Sequence, residues 1–290
     1  DIYAGESFSP DGNYLMITTI QKPYSYIVPL SRFPQKTTVY DLNGKVVKVV
    51  NEVPLTEIMP KGFSSVRTGK RSMGWRADKP ATLYFVEALD EGDQSKTVAF
   101  RDEVFLWEAP FSASPTSLVK TQQRYAGIMW ANENIAIVSD SWYDTRNTKS
   151  YLFNPSNLAI APKIIEDRNS QDIYSDPGNF EMKKNQYGRY AIAVENNKAY
   201  LIGSGFTKEG QFPFIDEMDL NTSKKNRLYT SKMKDKKEDL LSIEDIKKGE
   251  VLVMIQSKNE YPNYFFRNIK SKNKLTQITD FKNPFESLKN

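Results

Sequence analysis

The chain has 290 residues with no cysteine and no histidine, 40 Lys+Arg against 36 Asp+Glu, and 39% apolar residues. That length can bury a real core in one large or two ordinary domains. On its own the chain excludes disulfides, thiol catalysis, a Ser-His-Asp triad and Cys or His metal ligands; its net charge of +4 is too mild to imply a polyanionic partner, and no apolar run is long enough to span a membrane.

The chain opens Asp1-Ile2-Tyr3 without Met and without a charged segment followed by an apolar one, so a piece of a longer protein is expected. Short apolar runs then recur: Tyr14 to Ile20, Ala81 to Val86, Asn134 to Val138, Tyr190 to Val194 and Val251 to Ile255. They are rich in β-branched and aromatic residues and bounded by Gly, Pro, Asn and Asp, which predicts strands. The best helix candidate, Leu240 to Ile246, allows one or two turns at most.

An aromatic or aliphatic residue and a polar turn precede each run. Phe8-Ser9-Pro10-Asp11-Gly12 is the clearest case: Pro presets φ, Asp bonds its own backbone and Gly accepts positive φ. Trp75 to Lys79, Trp130 to Asn134, Tyr187 to Arg189 and Ile243 to Gly249 are looser versions. Second strands ending in polar turns follow, as in Thr38 to Lys45, Phe214 to Thr222 and Tyr264 to Ser271, and read as outer hairpins. Anchors at positions 8, 75, 130, 187 and 243 space the units roughly 55 to 67 residues apart. The expectation is an all-β chain, a β-propeller with about five recognisable four-stranded blades, either whole or part of a larger propeller. A two-sheet sandwich array is the alternative. Long insertions are expected at 21–37, 54–74, 87–102, 139–150 and 167–186.

Those insertions carry a resemblance. Gln21 to Pro34, Ser65 to Tyr84, Ser141 to Arg146, Asp172 to Gly178, Gly203-Ser204-Gly205 with Pro213 to Asp216, and Gln277 to Phe281 run in order along nearly the whole chain. Together they resemble the glutamyl endopeptidase branch of the prolyl oligopeptidase (S9) serine peptidases. The resemblance implies an N-terminal propeller joined to a C-terminal α/β-hydrolase domain, with blades over 1–281 and a linker over 282–290. No G-x-S-x-G occurs, so no catalytic residue carries over. The chain is expected to be a non-catalytic propeller portion that gates and selects peptides by steric exclusion. Its expected partners are that hydrolase domain and peptides, with self-association of the chain as a further possibility. No cofactor, metal, nucleic acid or membrane is expected. Exported bacterial peptidases of this type imply the periplasm, with the cytoplasm as the alternative.

Arg67 and Arg71 flank Gly69 and are the candidate substrate-binding residues, since guanidinium groups pair bidentately with carboxylates. Tyr24, Tyr26 and Arg32 in a Pro-bracketed loop, with Trp142 and Tyr143 after a strand, are candidates to face the hydrolase domain or the substrate chamber. Asp144 and Arg146 complete the second of these clusters. Asp90, Glu91 and Asp93 lack calcium-loop spacing and read as a solvated turn. The basic run Lys224 to Lys237 reads as a solvated hairpin, having too few stacking residues for nucleic acid. Two alternatives remain open: a propeller glycosidase using Asp140 and Asp78, which needs no histidine, and a stand-alone interaction propeller.

Overall fold

The computed structural model describes residues 1–285. Their regular structure is strand, apart from two short 3₁₀ turns at Leu30–Arg32 and Ile173–Ser175. The first sheet contains β1 (Ile2–Phe8), β2 (Tyr14–Ile20), β3 (Gln35–Asp41) and β4 (Val46–Val53). The second contains β5 (Arg71–Trp75), β6 (Thr82–Ala88), β7 (Asp102–Glu108) and β8 (Thr116–Thr121). The third contains β9 (Arg124–Asn132), β10 (Ile135–Trp142), β11 (Asn147–Phe153) and β12 (Lys163–Asn169). All three are antiparallel meanders in which neighbours in the chain are neighbours in the sheet.

The next region is less regular. A five-stranded sheet combines β13 (Asn179–Phe180), β16 (Val194–Glu195), β17 (Lys198–Gly203), β20 (Phe214–Asp219) and β21 (Lys225–Thr230). Two small hairpins accompany it, β14 (Met182–Lys184) with β15 (Tyr190–Ile192) and β18 (Phe206–Thr207) with β19 (Gly210–Gln211). A last meander runs through β22 (Lys237–Asp245), β23 (Glu250–Gln256), β24 (Asn263–Asn268) and β25 (Lys274–Gln277).

Chain contacts define two compact units: 1–169 with 183–191, and 170–182 with the residues from 192 onward. In each, the core lies between successive sheets. Met16, Val39 and Val50 of the first sheet pack on Leu83, Phe85 and Trp107 of the second. Val86, Val104, Leu118 and Val119 of the second pack on Trp130, Ala136, Val138, Tyr151 and Phe153 of the third. In the other unit Tyr200, Ile215 and Tyr229 pack on Leu240, Ile243, Val251, Val253 and Ile255. Four-stranded meanders that bury their faces on their chain neighbours are the blades of a β-propeller.

The tetrad at residues 9–12 makes the expected tight turn. Gly12 donates its N–H to the Ser9 carbonyl at 2.9 Å with φ +76°, and the Ser9 hydroxyl donates to Asp11 at 2.6 Å. The first strands of the first, second and third sheets, β1, β5 and β9, precede the apolar runs that mark the units in sequence. Of Leu240 to Ile246, residues 240–245 are strand, within β22, and Ile246 starts the turn that follows. Register shifts at Leu240/Ser242 and Ile243/Asp245 break the strand's period of two, which produces the helix-like spacing. The 139–150 insertion is also corrected: β10 and β11 fill it except for a turn at residues 143–146. Of the linker expected over 282–290, residues 286–290 lie outside the described residues.

Candidate functional site

Antiparallel order places one set of connections of the first unit at one end of its blades. These are 21–34 after β2, 54–70 after β4, 89–101 after β6, 122–123 after β8 and 143–146 after β10. The opposite end has shorter turns, such as 9–13, 42–45 and 133–134. The three longest connections of this unit are thus together at one end.

A buried ion-pair network ties that end together. The Asp90 and Asp102 side chains are fully buried. Arg124 Nη1 and Nη2 donate to Asp90 at 2.8 and 2.7 Å, and Nη1 also reaches Asp102 at 3.1 Å. Arg101 Nη1 donates to Asp90 at 2.8 Å. Arg71 pairs with Asp102, and its side chain is only 11% exposed. Three guanidinium groups therefore meet two carboxylates, and Arg71 Nε has no hydrogen-bond partner among the described residues. Burial pushes the Asp90 carboxyl up, but hydrogen bonds from Arg124 and Arg101 outweigh it and hold Asp90 below the usual carboxylate range.

The loops close over this network. Arg124 Nε donates to the Ser64 carbonyl at 2.6 Å, and the Ser64 hydroxyl accepts from the Tyr143 N–H at 3.1 Å. The Val66 N–H donates to the Gly92 carbonyl at 3.0 Å. Gly92 sits at φ +78°, and a Cβ there would meet the Val66 carbonyl oxygen at 1.9 Å, so only glycine fits.

The candidate residues divide between this end's interior and its rim. Arg67 is half-buried. Its Nη2 donates to the Lys70 carbonyl at 2.6 Å and its Nη1 to the Thr68 carbonyl at 3.2 Å. Burial, then the neighbouring Arg71 charge, lowers its pKa. Trp142 lies under the Arg101 guanidinium at 4.1 Å. Tyr143 stacks on Phe63 at 4.4 Å and carries Arg146 over its ring at 3.6 Å. Tyr24 stacks on Phe33 at 6.0 Å, Tyr26 is fully exposed, and the Arg32 carbonyl accepts from the Thr56 N–H at 2.9 Å. Arg67, Arg71, Trp142 and Tyr143 thus share one connected cluster. Tyr24, Tyr26 and Arg32 occupy the adjoining loop at the same end of the first blade.

Sequence reasoning missed Arg124, Arg101, Asp102 and the part played by Asp90. The available signal was a charge at the border of an apolar strand run, Asp102 opening β7 and Arg124 opening β9. The turn read as solvated is instead anchored by a buried carboxylate. The glycosidase pair is not brought together: Asp140 is near the long-loop end of β10, whereas Asp78, in a bidentate pair with Arg76, is in the opposite turn between β5 and β6. No group of three or more acidic residues among the described residues could hold a metal, and no described helix is long and apolar enough to cross a membrane.

Blades with long loops gathered at one end define a β-propeller with a built loop face. No family model matches the chain. It is 40% identical over 99% of its length to the "Probable glutamyl endopeptidase, chloroplastic" of Oryza sativa subsp. japonica, covering 32% of that protein. It is 37% identical over 99% of its length to the protein of the same name from Arabidopsis thaliana, covering 31%. The loop resemblance to the glutamyl endopeptidase branch therefore extends along the whole chain, which spans about a third of those curated relatives. A Bacteroides ovatus structure assigned as a dipeptidyl aminopeptidase IV superposes with TM-score 0.50 at 12% identity, over 95% of this chain and 40% of that one. At that identity the likeness is one of fold.

Proposed function

We propose that this chain is the non-catalytic propeller portion of a glutamyl-endopeptidase-type serine peptidase, and that its long-loop end selects peptides for a hydrolase domain. The observation that carries the reading is the position of the cation-rich network beneath the longest loops. A buried excess of guanidinium over carboxylate is costly unless an anion completes it. A substrate glutamate is such an anion. Arg67, whose half-buried guanidinium bonds only carbonyls of its own loop, is the direct contact. Arg71 supplies a second positive charge behind it. The loops act sterically, admitting short or flexible peptides. Acyl transfer through a serine belongs to the hydrolase domain. A periplasmic location is part of the same proposal, while the plant relatives are chloroplastic by name.

The absence of cysteine allows a direct test. A single Cys at Thr68, on the long-loop end, or at Ser156, on the opposite end, can carry a photo-crosslinker in a polypeptide joining this chain to the hydrolase domain. Crosslinks to the hydrolase from Thr68 and none from Ser156 are expected. The reverse pattern would overturn the reading.

A further inference from the structure

The second unit carries a cleft of about 660 Å³ that the proposed function does not use. Its walls come from the β18–β19 hairpin, the 231–236 connection and the turn after β23, with Lys234, Lys236, Lys237 and Lys258 lining it beside Phe212 and Met233. The basic run is therefore not one hairpin. Its first part is β21, its last residue opens β22 in the next sheet, and the lysines between them form a wall.

That wall is anchored. The Ser231 N–H donates to the Pro213 carbonyl at 2.8 Å, and Met233 packs against the core of its unit. Lys236 Nζ binds both Glu260 oxygens, at 2.7 and 2.8 Å. Lys237 pairs with Asp239 at 2.9 Å. Lys234 and Lys258 have no ion-pair partner among the described residues, and neither do Lys208 and Lys232 on the flanks. The fixed lysines thus shape the cleft and the free ones charge it.

We infer that this cleft binds the side chains of an acidic peptide segment, at a site separate from Arg67 and Arg71. Ammonium groups on flexible stems are point charges that suit carboxylates of variable position. The lining contains no arginine fork for a phosphate. Phe212 is its only aromatic residue, whereas single-stranded nucleic acid needs a row of stacking rings. Glu209 and Asp235 interrupt the positive wall, which a continuous polyphosphate would have to pass but a peptide with spaced carboxylates avoids. The inference stands on the cleft alone and does not depend on the peptidase reading.

Fluorescence anisotropy with a fluorescein-labelled hepta-glutamate peptide at low salt tests it, with hepta-glutamine as the control. Binding of hepta-glutamate alone is expected, weakening as salt screens it. The double variant Lys234→Glu, Lys258→Glu should weaken binding by about tenfold or more, and Lys45→Glu, which reverses an exposed charge in the other unit, should leave it within about twofold. Lys234→Gln, Lys258→Gln should give an intermediate loss, with circular dichroism and melting unchanged for both pairs because these lysines are exposed. No binding of hepta-glutamate, or equal binding by the charge-reversed variant, overturns the proposal. So does tighter binding of an oligonucleotide of equal charge that the same variant abolishes.

Discussion

Replacing Asp90 by Asn removes one negative charge from the network and leaves its shape nearly intact. Four hydrogen bonds end on this carboxylate: two from Arg124, one from Arg101 and one from the Gly92 N–H. The amide oxygen can keep part of the set, but its NH₂ must face a guanidinium. Three arginines would then share Asp102 alone. Removing one partner of a buried pair costs roughly 3–5 kcal/mol; with some bonds kept, about 3 kcal/mol is expected. That corresponds to a fall in melting temperature of about 6–12 °C. Urea unfolding followed by tryptophan fluorescence would measure it, with Lys96→Ala as the control. The exposed Lys96–Glu91 pair should contribute about 1 kcal/mol or less. The sign with pH follows from the lowered Asp90 pKa: this stabilisation is present above its unfolded value and is lost as pH falls through the folded one. An Asp90→Asn loss no larger than that of Lys96→Ala would refute the argument that this charge holds the loop end together.

Asp140 has the opposite sign. It is fully buried, accepts from the Gln123 N–H at 2.9 Å and the Tyr151 hydroxyl at 3.0 Å, and has no partner at Oδ1. Burial raises its pKa, so it favours folding at low pH, and that contribution is lost as pH rises from the unfolded to the folded value. Asp140→Asn should therefore stabilise the chain by about 1 kcal/mol at pH 7, with the gain shrinking near pH 4 in denaturant titrations. Gly92→Ala forces a Cβ into the Val66 carbonyl, so limited proteolysis should cut the 54–70 and 89–101 loops faster than in the parent. Phe8, Leu15, Tyr40 and Val46 stand opposite one another across the first blade, with Phe8 and Val46 about half exposed. Sizing over a concentration series should show self-association, and Phe8→Glu with Val46→Glu should abolish it.

Much of the fold was legible because blades repeat. Runs such as Ala81 to Val86 mark strands by composition, and Ser9 to Gly12 marks its turn by residue type. The first strands of the sheets were harder, because β1 and β5 contain Gly5, Glu6, Arg71 and Gly74 and lack an apolar run. Leu240 to Ile246 stands out as the best helix candidate because bulges in β22 break the period that identifies a strand. The loop end was half legible: Arg67, Arg71, Trp142 and Tyr143 were found as separate motifs. Their convergence rests on Asp90, Asp102 and Arg124, which are 34 residues apart at the extremes and meet only through sheet pairing and loop closure.

The central claim is that this chain supplies acidic selectivity to chemistry performed elsewhere. The most direct measurement is kcat/KM for matched Glu and Gln peptides, made on a peptidase joining this chain to the proposed hydrolase domain, with and without Arg67→Ala. Loss of a charge-assisted hydrogen bond costs roughly 1.5–3 kcal/mol. The Glu peptide should therefore lose about tenfold or more while the Gln peptide is nearly unchanged. Equal losses on both peptides, or an unchanged Glu-to-Gln ratio, would contradict it.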